Sequence, residues 1–245
     1  MPRLSLTLAV ILISSAAFAQ NAKPCDTHEL SGVQHYRETK VAPTKTGPRV
    51  VLMGASYVER WDVDKTFPAG NYINRGIGAQ GSAQMLLRFY QDVVMLSPRV
   101  VVIFPGTNDL GGAHGNVPML DIQQNVSAMA QLAKANGIRV VFASLFPMDP
   151  NGSHPYVKTI TSDQIRQLNR WMFEYARDHG DTYADFWSPL GDTKYSLMSQ
   201  YSVDGLHIND EGYKLIAPVL EKRVAEALAK GIGRVSVKGE YKGED

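Results

Sequence analysis

The sequence predicts an α/β fold, a mostly parallel β-sheet covered by helices on both faces. Two observations predict it. From Arg49 onward, a short β-branched run, a turn rich in glycine or small residues and a stretch with helical spacing follow one another repeatedly, and that alternation builds parallel sheets. The runs are also near-continuously apolar, as in Arg49–Met53 and Arg99–Phe104, which suits strands buried on both sides.

Along the chain, Met1–Ala19 sets Arg3 ahead of an apolar run, Leu4–Ile13, and ends on Ala17-Phe18-Ala19. This is the pattern of a secretory signal with an A-x-A cleavage site, and the run is too short to span a bilayer. The chain is therefore expected to be exported to the periplasm or the medium, with a mature terminus at Gln20 and no stable membrane insertion. Residues 20–48 form a polar leader and 49–230 the domain. The strands expected in it are Arg49–Met53, Asn71–Arg75, Arg99–Phe104, Arg139–Leu145 and a weaker one at Thr182–Asp185. The expected helices are Ser82–Met95, Met119–Asn136, Ser162–His179 and Asp210–Lys230. In the second helix Leu120, Val126, Met129, Ala130 and Ala133 recur at roughly helical spacing, and Asn136-Gly137 supplies a stop. Pro218 lies inside the last one, so a kink or break is expected there. A tail rich in Gly, Lys and Glu, 231–245, closes the sequence.

The 25 basic and 24 acidic residues leave a formal charge of +1, too balanced for a surface that binds nucleic acid or an anionic membrane. The lone cysteine, Cys25, cannot form an internal disulfide, so packing must hold the fold. The residues before it, Asn-Ala-Lys-Pro, are unlike a lipid-attachment site.

Ligands of open parallel sheets bind outside the C-terminal strand ends, which directs attention to the strand-to-helix turns. Ser56 leaves the first strand at a predicted helix start, where backbone N–H groups and the helix dipole favour developing negative charge. Taken alone, that residue is more simply an ordinary N-cap serine. Asn108, in Pro105-Gly106-Thr107-Asn108-Asp109 after the third strand, carries an amide able to donate to an oxyanion, a contact worth about 3–4 kcal/mol in acyl transfer. Gly, Asn and Asp are also plain turn residues. Ahead of the last helix, Asp204 precedes His207 by three residues with Gly205 between. Such a carboxylate can accept one ring N–H and fix the tautomer that leaves the other nitrogen free to take a serine proton. The plain alternative is a polar loop capped by Asn209 or Asp210. Each segment alone is weak, and the three together are much harder to dismiss.

These segments resemble the conserved blocks of the GDSL/SGNH hydrolases. Gly54-Ala55-Ser56 is similar to the first block, Asn74-Arg75-Gly76-Ile77-Gly78-Ala79 to the second, Gly106-Thr107-Asn108-Asp109 to the third and Asp204-Gly205-Leu206-His207 to the last. They stand in the family's order across about residues 49–228. The resemblance implies a three-layer α/β/α sandwich with a flavodoxin-like sheet. It also implies hydrolysis of small-molecule or saccharide carboxylic esters through an acyl-serine intermediate, with no metal and no cofactor. Under it Ser56 attacks, His207 relays the proton and Asp204 orients His207, while the Ser56 N–H, the Ala79 N–H and the Asn108 side chain hold the oxyanion. Two positions depart from the family's pattern. Ala55 stands where an aspartate is usual, removing a polar group that would brace the loop, and Ala79 stands where glycine is usual. If the alignment slips, Gly78 is the donor.

Rival assignments are weaker. Gly76-Ile77-Gly78-Ala79-Gln80-Gly81 fits G-x-G-x-x-G, but a dinucleotide site wants a carboxylate about 20 positions on, and Val101 lies in a run that has none. An acyltransferase shares the acyl-serine and differs only in its acceptor; an inert binding module is motivated only by Ala55. The six histidines form no H-x-x-x-H or similar ligand pair. Of these, His154 reads as a surface residue and His114 as a loop residue. Tyr57, Trp61, Phe186, Trp187, Tyr195 and Tyr201 read first as packing and second as rings for a sugar or acyl chain.

Overall fold

The computed structural model describes residues 31–37 and 45–232. The expected signal at 1–19, Cys25, most of the leader and the tail from 233 lie outside the described residues. Five strands, β1 (Arg49–Gly54), β2 (Asn71–Gly76), β3 (Val100–Phe104), β4 (Arg139–Ala143) and β5 (Thr182–Ala184), form one sheet in the order β2-β1-β3-β4-β5. Every neighbouring pair is parallel. This is the flavodoxin-like order, whose switch point falls between β1 and β3. Gly54 lies opposite Gly76 on one side and Phe104 on the other, so the three strands end level and their loops leave from one edge.

Four long helices cover the sheet: α1 (Ser82–Asp92), α2 (Met119–Ala135), α3 (Ser162–His179) and α4 (Asp210–Ala229). α1 packs on α2 and α2 on α3 in one layer, while α4 covers β3, β4 and β5 with the short helices Val63–Thr66 and Trp187–Leu190 beside it. The result is an α/β/α sandwich whose inner strands β1, β3 and β4 are almost wholly buried, while the edge strands β2 and β5 are partly exposed. Among the described residues no helix is long and apolar enough to cross a membrane.

Local chemistry explains where the elements stop. α3 begins with a reciprocal capping box, Thr161 accepting from Gln164 N–H and Gln164 from Thr161 N–H, and ends at Gly180, whose φ is 74°. α2 differs from expectation in its buried stripe, which is Ile122, Val126, Met129, Ala130 and Ala133, whereas Leu120 is 43% exposed. α1 stops at Asp92, and Val94–Leu96 is a 3-10 turn closed by Ser97 in the left-handed region. β4 ends at Ala143 instead of Leu145, because the side chain of Asn169 takes over the Leu145 backbone, accepting its N–H at 2.7 Å and donating to its carbonyl at 3.1 Å. The break expected at Pro218 does not occur, since α4 runs through it. Pro218 and Lys214, whose carbonyl loses its helical donor, both face solvent. Meanwhile Ile216, Ala217, Leu220 and Val224 anchor both halves in the core.

The packed unit reaches further back than Arg49. Ser31 O accepts from Gln80 Nε2 at 2.9 Å and Val33 O from Gln91 Nε2 at 2.6 Å, while the Tyr36 ring lies 4.4 Å from the Arg75 guanidinium. Part of the expected leader therefore braces the loop that follows β2.

Candidate active site

Ser56 is the first residue of a four-residue helix, Ser56–Glu59, and Ala55 before it makes no capping side-chain bond. The turn is braced from elsewhere. Arg88, fully buried in α1, donates to Gly54 O at 3.0 Å, to Arg75 O at 3.0 Å and to Gln80 Oε1, and pairs with Asp92 at 2.9 Å. Burial holds the Arg88 guanidinium below its ordinary value, and the bond to Asp92 recovers only part of that. Asn74 Nδ2 donates to Trp61 O at 2.9 Å, and Tyr213 Oη donates to Tyr57 O at 2.8 Å. Only glycine fits at 76, where a Cβ would stand 2.0 Å from Glu59 N.

From the far end of the chain, His207 arrives 4% exposed. Its Nε2 lies 3.0 Å from Ser56 Oγ and its Nδ1 2.8 Å from Asp204 Oδ2. Asp204 Oδ1 accepts the N–H groups of Leu206 and His207 at 3.0 and 2.8 Å. Burial alone would raise the Asp204 carboxyl, but the bonds from the His207 N–H, the His207 ring and the Leu206 N–H outweigh it and hold the group at about 2. The loop is clamped by a neighbour. Asp149 N–H donates to Gly205 O at 2.8 Å and His154 N–H to Asp204 O at 2.9 Å. Gly205 has φ +92°, and a Cβ there would meet Gly152 Cα at 2.6 Å, so the clamp requires glycine on both sides.

The remaining expected donors are the Ser56 N–H itself and groups in the segments after β2 and β3. Asn108 is buried, and its Nδ2 donates to Gln80 O at 2.9 Å, leaving the second amide hydrogen for a ligand. Asp109 accepts from Ser82 N–H at 2.9 Å and Ser82 Oγ at 2.8 Å. The N–H groups of Ser56 and Ala79 have no partner among the described residues. Gly78 N–H is already taken by Glu59 Oε1 at 2.9 Å, which leaves Ala79 as the free donor of this loop. Ala79 sits at φ 62°, a left-handed conformation that costs a non-glycine residue about 1–2 kcal/mol.

Residues without a strong signal in the sequence complete the surroundings. His154 is half-buried, its ring edge-on to His207 with centroids 5.3 Å apart, and Tyr156 packs against it. Chain separation hid this pair from a search for closely spaced histidines. His154, Asp204 and His207 bring potential metal ligand atoms within 4.8 Å of one another, although Asp204 and the His207 ring are already hydrogen-bonded together. Tyr57, Trp61 and Phe186 are buried in packing, Trp187 and Tyr201 half-buried, and Tyr195 exposed.

Residues 53–215 match the family model of the GDSL-like lipase/acylhydrolase family. No curated protein matches the chain. Among solved structures it is similar to a GDSL-like lipase of Bacteroides thetaiotaomicron, 32% identical over 80% of this chain and 98% of that one, with a TM-score of 0.73. An acylhydrolase candidate from Bacteroides fragilis is also 32% identical, over 81% and 98% of the two chains, with the same TM-score of 0.73. A catalytic mutant of an acetylxylan esterase from Geobacillus stearothermophilus shares the fold at 15% identity, covering 73% of this chain and 94% of that one with a TM-score of 0.58. Family match, sheet order and identity agree that this chain belongs to the GDSL-like lipase/acylhydrolase family and is a carboxylic ester hydrolase.

Proposed function

We propose that the protein is an exported serine esterase that removes short acyl groups, acetyl foremost, from saccharide or other small-molecule hydroxyls. Ser56 is the nucleophile, His207 the general base and Asp204 the group that orients it. The N–H groups of Ser56 and Ala79 and the amide of Asn108 receive the oxyanion. One observation carries the assignment: Ser56 Oγ, both His207 nitrogens and Asp204 Oδ2 form a continuous line with contacts of 3.0 and 2.8 Å, and the N–H groups of Ser56 and Ala79 have no partner among the described residues. Attack of Oγ on the ester carbon would pass the hydroxyl proton to Nε2, and the departing alcohol would take it back, leaving an acyl-serine. Water would repeat the sequence from the other side.

Short acyl groups are favoured because the Ala79 methyl adds bulk where the family usually has glycine, and because Tyr57, Trp61 and Phe186 are consumed by core packing instead of lining an acyl channel. His154 beside His207 and Tyr156 against His154 are both partly exposed and would supply aromatic surface to a sugar ring. Export rests on the pattern of residues 1–19. The test is a series of p-nitrophenyl esters from acetyl to octanoyl, run with and without an acetylated oligosaccharide. The expected kcat/KM falls by at least about tenfold from acetyl to octanoyl, and acetate appears as free acid. A preference for octanoyl would overturn the short-acyl assignment, and acetyl appearing on sugar hydroxyls in place of acetate would identify an acyltransferase.

A further inference from the structure

Two consecutive carbonyls in the loop after β2 are gripped by the loop after β3. Asn108 Nδ2 holds Gln80 O at 2.9 Å, and the exposed His114 imidazole donates through Nε2–H to Ala79 O at 2.8 Å. The rest of that grip is the Asp109 carboxylate on Ser82. His114 is itself tied to the Asn108 turn, because Ala113 N–H donates to Asn108 O at 3.0 Å and Gly112 N–H to Asp109 O at 3.1 Å. A Cβ at Gly81 would stand 3.2 Å from His114 Cδ2, so the glycine there gives the ring its place.

Ala79 needs such a hold. At φ 62° it occupies a conformation that alanine leaves unless its surroundings over-determine it. The other bond on the Ala79–Gln80 peptide, Gln80 N–H to Ile77 O, is stretched to 3.5 Å. We propose that His114 is a positioning residue: by fixing the Ala79 carbonyl it holds Ala79 left-handed and keeps the Ala79 N–H aimed at the oxyanion. It thereby compensates for the alanine that replaces the usual glycine. The proposal rests on the assignment of the Ala79 N–H to the oxyanion hole, and His114 acts through Ala79, not on the substrate.

The experiment compares His114→Ala, His114→Gln, Ala79→Gly and the Ala79→Gly/His114→Ala double variant by steady-state kinetics on an acetyl ester, with thermal unfolding alongside. Because His114 is exposed, its loss leaves the core intact. His114→Ala should lower kcat about tenfold with little change in KM. His114→Gln, whose amide can donate to the same carbonyl, should recover most of that loss. In the Ala79→Gly background removing His114 should cost about twofold or less, since glycine has no penalty at that φ. Native kcat in His114→Ala, an equal loss in the glycine background, or a loss confined to KM would each overturn the proposal. Asn108→Ala separates the two levels of assignment, with an expected fall in kcat of about 10²–10³-fold. If it keeps full activity, the oxyanion hole is misplaced and the role of His114 falls with it. If it loses activity while His114→Ala does not, the His114 proposal alone fails.

Discussion

Replacing Ser56 by alanine is expected to lower kcat by about 10⁶-fold while leaving the protein folded. Among the described residues the hydroxyl makes one hydrogen bond, to His207 Nε2 at 3.0 Å. The helix it opens is held instead by the backbone and by Arg88, Asn74 and Tyr213. Losing one hydrogen bond at a half-exposed position costs about 1 kcal/mol at most, so thermal unfolding should barely move. Intact-mass analysis after treatment with a fluorophosphonate makes the result specific: one adduct on the wild type, none on Ser56→Ala. Full activity in the variant would remove Ser56 from the mechanism. Failure to label the wild type, under conditions that label a control esterase, would instead point to an inert binding module, with Ala55 the first suspect.

Ala55 illustrates where sequence and structure divide the explanation. The turns of Ser56 and Asn108 were legible because each follows a near-continuous apolar run, and a parallel strand of that kind delivers its loop to one sheet edge, whereas Asp204 and His207 were legible from their own spacing ahead of the last helix. What braces those turns was hidden. Arg88 drew no attention in the sequence, yet it is buried with Gly54 O, Arg75 O, Gln80 Oε1 and Asp92 all facing it. Those acceptors come from β1, β2, the loop after β2 and α1, and no local spacing predicts their convergence. The same holds for His154 against His207 and for His114 against Ala79, where the available sign was an alanine in a position that resembles a glycine site. Leu120 and Pro218 misled for a different reason. Periodicity reports which face a residue can share, and proline reports a lost N–H, but whether either matters depends on the side that meets the sheet. Leu120 points outward, and Pro218 sits where the freed carbonyl reaches water.

Asp204→Asn should lower kcat by up to about 10⁴-fold, the second-largest effect expected here. Asparagine can keep one oxygen on the N–H groups of Leu206 and His207, which now bond Oδ1 at 3.0 and 2.8 Å, so the loop should persist. Its amide nitrogen would then face His207 Nδ1 and require that nitrogen to accept. The ring proton would move to Nε2, which would donate to Ser56 instead of receiving its proton. Loss of activity with a preserved fold is therefore the signature of a tautomer fixed by Asp204, and a loss below about tenfold would assign the orienting role to another carboxylate. The pH dependence separates this role from a charge that titrates during turnover. With its carboxyl held at about 2, below the ordinary 3.8, Asp204 stays ionised across the neutral range. Protonation of Asp204 should therefore leave no step in kcat/KM across that range. The depressed carboxyl also stabilises the folded wild type above its ordinary titration range, and that contribution disappears as pH falls toward 2. Asp204→Asn should lack this acid-sensitive increment, so the difference in unfolding temperature between wild type and variant should be largest near neutral pH and shrink below about pH 4.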